Sequence, residues 1–267
     1  VGDSGPESLG FKAYNLARMA QLGLRVPPAF VLPTSWCFRK KPVAISELES
    51  AIGALEKASG VKFGDPRRPL LLSVRSGAPV SMPGMMETLL NIGLNEDTLR
   101  GMMRVTGNPR LAYDSYRRLI AGFGEVVAGI DGSRFEADLD DIRQGADERS
   151  LDFAALRELA SRHLATYRAE AGEEFPQDVN TQLLLAINAV FKSWDSDKAK
   201  AYRAMHKIKH GMGTAVTVQQ MAFGNSGGLS GAGVGFTRNP STGEPALWVD
   251  FLFNAQGEDV VSGRRSA

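Results

Sequence analysis

At 267 residues, 43% hydrophobic and 23% charged, the chain has an ordinary globular composition, long enough for one large domain or two or three small lobes. Its 31 basic and 30 acidic residues nearly cancel, which argues against a nucleic-acid coat or a membrane-surface protein, so any basic site is local. The single cysteine, Cys37, excludes an internal disulfide framework and suits a reducing cytoplasm, and no stretch reaches the roughly 18–20 apolar residues of a membrane helix.

Residues 1–10 are small and polar, loop-like and unlike a signal peptide. A helical period over 11–22 turns Leu16, Met19 and Ala20 to one face; Gly23 ends it, and Pro27-Pro28 open an extended segment at 29–32. Residues 46–59 read as an amphipathic helix (Leu48, Ile52, Leu55) with Ser46 as N-cap and Gly60 as stop. The next stretch, LLLSVRSGAPVSMPGMMETLLNIGL at 70–94, is the most informative. A β-favouring run (Leu70, Leu71, Leu72, Val74) delivers Arg75 to a loop holding Ser76, Gly77, Pro79, Ser81, Pro83 and Gly84. Two readings stay open. In one, Arg75 grips phosphate oxygens bidentately while glycines bring backbone N–H groups close to the anion. In the other, a strand is followed by a Met-rich turn that covers the core, methionine being an ordinary gap-filler.

Residues 95–103 look helical, and Asn108-Pro109 begins a helix through Tyr113, Tyr116, Leu119, Ile120 and Phe123, with Arg117 and Arg118 on a solvated face. The acidic, broken stretch 131–144 lacks the fixed alternate ligands of a Ca²⁺ loop and reads as solvated surface. A charged helix at 151–171 precedes one or two more at 179–204, with Leu183, Leu184, Ile187, Val190, Phe191 and Trp194 turned inward. His163, His206 and His210 have no zinc-ligand spacing and read as surface histidines. From Gly213 strands take over: TAVTVQQMAFG, a glycine-rich turn, GVGFTR, a second turn and ALWVDFLF, an antiparallel pattern suited to an α+β lobe. Gln256, Glu258 and Asp259 then bring oxygen ligands, the donors Mg²⁺ prefers, to a short loop.

Six segments carry a resemblance. SVRSGAPVSMPGMMET, GNPRLAYDSYRRLIAGFGEVV, FPQDVNTQLLLAINAVFKSWDSDKAKAYR, GTAVTVQQMAFGN, GFTRNPSTGE and NAQGEDVVSG occur in the order in which they occur in the pyruvate, phosphate dikinase family. The chain resembles that family's nucleotide-binding domain over most of its length. The resemblance implies an α+β fold like an ATP-grasp: two mixed α/β lobes at 1–104 and 213–267, with a helical subdomain at 105–212 between them. It implies a phosphotransferase that binds ATP and Mg²⁺ and passes a phosphoryl group to a histidine on another domain. Overall, ATP, phosphate and pyruvate would give AMP, pyrophosphate and phosphoenolpyruvate. The phosphohistidine and pyruvate-binding domains of the family have no motifs here, so they are expected as partners, in one longer chain or separately, and this chain alone is expected not to complete the reaction. A homodimer of the full enzyme is a further expectation, nucleic acid and membrane are not, and the compartment expected is the cytoplasm.

The resemblance also implies site residues. Lys12 matches the lysine of a Gly-Gly-Lys-Gly turn that reads Gly10-Phe11-Lys12-Ala13 here, two of its glycines being replaced. Lys12 and Arg75 would stabilise charge on the transferred group, with Ser76, Gly77, Met82 and Gly84 of the signature loop around the nucleotide. Gln219 and Met221 would lie on the strand beside the adenine. Glu258 would hold Mg²⁺ with Gln256 and with Asp250, which stands where the family carries a Gly-Glu pair. By the same resemblance Arg117 and Arg118 would help dock a partner domain. The replaced glycines and Asp250 also motivate a different class, a stand-alone nucleotide-binding or regulatory module without catalysis. A changed acceptor is a third reading, against which SMPGMMET favours the pyruvate type.

Overall fold

The apolar run at 70–74 forms the strand around which the first part of the chain is built. A computed structural model describes residues 4–261, in two units divided after Met221. The first contains, in chain order, α1 (Pro6–Gln21), β1 (Ala29–Leu32), α2 (Glu49–Ser59), β2 (Lys62–Phe63), β3 (Pro69–Leu70), β4 (Leu72–Gly77), β5 (Thr88–Ile92), α3 (Glu96–Thr106), α4 (Pro109–Phe123), α5 (Ser133–Arg143), α6 (Phe153–Ala171), α7 (Val179–Lys192), α8 (Asp197–Met205) and β6 (Ala215–Gln220). The second contains β7 (Gly231–Phe236), β8 (Trp248–Phe253) and α9 (Gly257–Val261).

The main sheet has the order β1-β6-β4-β5, and each neighbouring pair is antiparallel. β6, expected to open the C-terminal lobe, is flanked by β1 and β4 within the first unit. Its residues explain this: Ala215 to Gln219 are all buried, as in a strand covered on both faces, whereas an edge hairpin would show alternation. Pairing fixes the faces. Leu72 and Val74 stand beside Val218 on one face, and Ser73 and Arg75 beside Gln219 and Thr217 on the other. α7 packs across β4, β5 and β6, while α1 packs against β1, β4 and β6.

The helical part is held by an aromatic hub. Phe175 meets Phe123, Tyr167 and Tyr116 edge-on at ring-centroid distances of 5.4, 5.5 and 6.2 Å. Gln182 ties α7 to the end of β5: its Oε1 accepts from Gly93 N at 3.0 Å, and its Nε2 donates to Leu94 O and Pro176 O at 2.9 and 2.8 Å.

Several expectations change here. Arg117 is buried and not solvated: its guanidinium bonds Asp114 at 2.9 Å and pairs with Glu148. Burial alone would raise the Asp114 carboxyl, but the charges of Arg117 and Arg118 outweigh it and hold the carboxyl below its ordinary value. His163 is also buried, with Nδ1 3.1 Å from Arg117 O and Nε2 3.2 Å from Phe135 O; desolvation lowers its pKa. Residues 133–143 form a continuous helix where a broken stretch was expected. Ser46 caps nothing; it sits in a short 3₁₀ turn, and α2 begins after Leu48. The stop at Gly60 holds, its φ of 70° being the left-handed conformation glycine allows.

In the second unit β7 and β8 pair antiparallel, with Gly231, Gly233 and Gly235 opposite Phe253, Phe251 and Val249. The glycines make room for rings lying across the ladder: a Cβ on Gly231 would meet Phe251 Cζ at 2.3 Å.

Candidate functional site

The site begins with one glycine. Gly10 breaks the helical path of α1 with φ 74° and ψ 154°, a conformation open essentially to glycine alone. Its backbone lies against the end of β4, where an added Cβ would be 1.8 Å from Gly77 O. Phe11 N–H donates to Ala78 O at 2.9 Å and completes the dock. The turn carrying Lys12 is thereby fastened to the strand carrying Arg75, 63 positions apart in the numbering. The replaced glycines do not disturb it, since neither Phe11 nor Ala13 has a positive φ. Phe11 points outward, 53% exposed, and Ala13 fits within the core.

Electrostatics records the proximity. Desolvation lowers the Lys12 ammonium from its ordinary value, and the Arg75 charge lowers it further. Two cations brought together beside a strand end can grip an anion from two directions, the guanidinium in a planar fork and the ammonium as a point charge.

The other expected residues fall differently. Ser76 N–H donates to Glu87 O at 3.4 Å and Gly77 N–H to Thr214 Oγ1 at 3.1 Å. The free N–H groups expected of these two positions are therefore taken up within the fold. Met82 is buried in a cluster with Ala78, Trp194 and Ala199, which matches the core-covering reading of the methionine-rich turn. Gly84 is exposed, with φ 71° and nothing within 4 Å of an added Cβ. Gln219 is buried; its Nε2 donates to Pro27 O at 3.0 Å and its carbonyl accepts from Ser73 Oγ at 3.3 Å. Met221 N–H donates to Leu71 O at 2.9 Å. β6 thus offers no free edge along its paired length, and a backbone contact to a base would have to lie beyond it.

In the second unit Gln256 is buried and its Oε1 accepts from Gly224 N–H at 3.0 Å, while Asp259 Oδ2 accepts from Gln256 N–H at 3.0 Å. These bonds close the loop on itself and commit the amide oxygen offered above as a metal ligand. Asp250 is half-buried on β8, opposite Val234. The Glu258 side chain lies outside the described residues. Among the described residues no three His, Cys, Asp or Glu side chains gather as a metal site, and no helix is long and apolar enough to cross a membrane.

Comparison with known proteins shows the family. Residues 37–267 match the model of the pyruvate phosphate dikinase AMP/ATP-binding domain. Pyruvate, phosphate dikinase of Giardia intestinalis is 48% identical over 269 residues, covering 97% of this chain and 30% of that protein. The enzyme of Clostridium symbiosum is 47% identical over 272 residues, 97% of this chain and 31% of its own length. The chloroplastic enzyme of Mesembryanthemum crystallinum is 48% identical over 276 residues, 99% and 29%. The chain therefore spans about a third of the length of these relatives, and it belongs to the pyruvate phosphate dikinase AMP/ATP-binding domain family.

Proposed function

We propose that this chain is the nucleotide-binding part of a dikinase. It would hold ATP so that a phosphoryl group passes in line to a histidine on a domain outside the 267 residues, for onward delivery to pyruvate. The observation that carries this reading is the dock of Gly10 on Gly77, which brings Lys12 within electrostatic range of Arg75. Phosphoryl transfer is catalysed chiefly by positioning and by stabilising charge on the transferred group, and this pair of cations suits both tasks. Arg75 would fork onto two phosphate oxygens and Lys12 would neutralise a third.

Mg²⁺ bound to nucleotide phosphates uses only one or two protein carboxylates, the rest of its octahedron being water and phosphate oxygen. Asp250 fits such a sparse donor set, and Glu258 is proposed beside it. Gln256 fits less well because its Oε1 already accepts from Gly224. When bound, the metal would bridge and neutralise phosphate oxygens. ATP-grasp architecture, two mixed lobes with a helical subdomain, remains part of this proposal, as do the phosphohistidine and pyruvate-binding partners.

The test is calorimetric titration of the chain with the ATP analogue AMPPNP, with and without Mg²⁺, beside the variant Arg75→Ala. Magnesium-dependent binding that the variant weakens without loss of fold supports the reading. A variant that unfolds, or that binds as well as the wild type, counts against it.

A further inference from the structure

Thr217 stands directly across the β4–β6 ladder from Arg75, so both side chains project from one face of the sheet. It is 1% exposed, and its Oγ1 has no hydrogen-bond partner among the described residues. An added Cβ on Gly77 would lie 4.0 Å from that oxygen. Gly77 is also the residue on which Gly10 rests, so the hydroxyl is set beneath the junction of the Lys12 turn and the Arg75 strand.

A hydroxyl buried without a partner is unfavourable, and valine would fill nearly the same volume at no such cost. Neighbouring positions of β6 do carry valine, at Val216 and Val218. A guanidinium has five N–H donors, more than a phosphate takes bidentately, and so retains donors for a second acceptor.

We propose that Thr217 is a positioning residue for phosphate recognition: its Oγ1 accepts a hydrogen bond from the Arg75 guanidinium when an anion engages the fork, fixing the plane in which the fork is presented. The oxygen is too buried to meet the ligand itself, so its action runs through Arg75. The inference rests on the reading that Arg75 and Lys12 hold ATP phosphates.

The experiment titrates wild-type chain, Thr217→Val and Thr217→Ser with AMPPNP·Mg²⁺ and with adenosine, and records the melting temperature of each. We expect Thr217→Val to melt at or above the wild-type temperature, to bind AMPPNP roughly tenfold more weakly, as for one lost hydrogen bond to a charged group, and to bind adenosine unchanged. Thr217→Ser should restore AMPPNP affinity. Equal AMPPNP affinity in Thr217→Val overturns this inference alone. A Thr217→Val chain that fails to fold overturns its premise, because the hydroxyl would then be needed by the fold. Wild-type chain that binds no AMPPNP overturns the phosphate-site reading, and this inference falls with it.

Discussion

Replacing Gly10 by alanine separates the dock of the Lys12 turn from everything else in the fold. The added Cβ would lie 1.8 Å from Gly77 O and 2.6 Å from Gly77 C, and both are backbone atoms that cannot swing aside. The conformation itself, φ 74° and ψ 154°, costs a non-glycine residue about 1–3 kcal/mol. Lifting the turn away relieves both but gives up the Phe11 N–H bond to Ala78 O, worth about 1 kcal/mol. Undocking is therefore the cheaper response: Gly10→Ala should lose at least about 1 kcal/mol of stability, and Lys12 should leave Arg75. The assay pairs urea denaturation with AMPPNP titration, using Phe11→Ala as the neighbouring control. Phe11 is 53% exposed, so its loss should change stability by no more than about 0.5 kcal/mol. Gly10→Ala with wild-type stability and wild-type AMPPNP affinity would refute the claim that this contact builds the site.

Three further predictions concern charge. Arg117→Met should destabilise the chain by about 3–5 kcal/mol in urea, because it strands the buried Asp114 carboxylate without its closest cation. Asp114 has a folded pKa below its unfolded value, so its contribution is present above about pH 4 and is lost as pH falls through the folded value. The stability difference between wild type and Asp114→Asn should shrink across that acid range, and a constant difference would contradict the assignment. Lys12 has the same sign in an alkaline window, although here folding disfavours the charged form. Its folded pKa is lowered, so the unfolded chain binds more protons between the two values and stability rises with pH through that alkaline window. Lys12→Met should flatten the rise. An anion favours the ammonium form, so AMPPNP binding should take up protons there and weaken as pH climbs.

What could be read from the sequence was what neighbouring residues decide. The strand begun by the apolar run at 70–74, the helix start at Asn108-Pro109 and the stop at Gly60 follow from local chemistry, and each is found, although the strand runs on through Ser76 and Gly77, which were expected in the loop. What could not be read depends on distant partners. His163 carries no mark of its burial because the carbonyls its ring nitrogens face, Arg117 O and Phe135 O, lie on other helices. The same holds for Arg117, whose partner Glu148 lies outside its helix. Ser76 and Gly77 look like open loop donors until the Glu87 carbonyl and the Thr214 hydroxyl are seen to accept their hydrogen bonds. The insertion of β6 between β1 and β4 was equally hidden, since strand order is set by the whole sheet and the alternation of Val216, Thr217, Val218 and Gln219 reads like a strand with one solvated face.

That insertion matters for the chemistry as well as for the topology. β4 cannot hold Arg75 rigidly by itself; β6 clamps it along six paired positions, and the turn from α1 then docks on the end of the clamped strand. Lys12 and Arg75 are brought together against their mutual repulsion, at a cost borne by the sheet and by the glycine contact. An anion between them turns that repulsion into attraction, so ligand binding and the docking of the turn should reinforce one another. Partial exposure of the pair makes the coupling sensitive to salt. The stabilisation that AMPPNP gives the chain should accordingly fall as ionic strength rises, and the fall should be smaller in Lys12→Met, where one of the two charges is gone. A salt dependence that is the same with and without the Lys12 charge would mean that the ammonium takes no part in holding the anion.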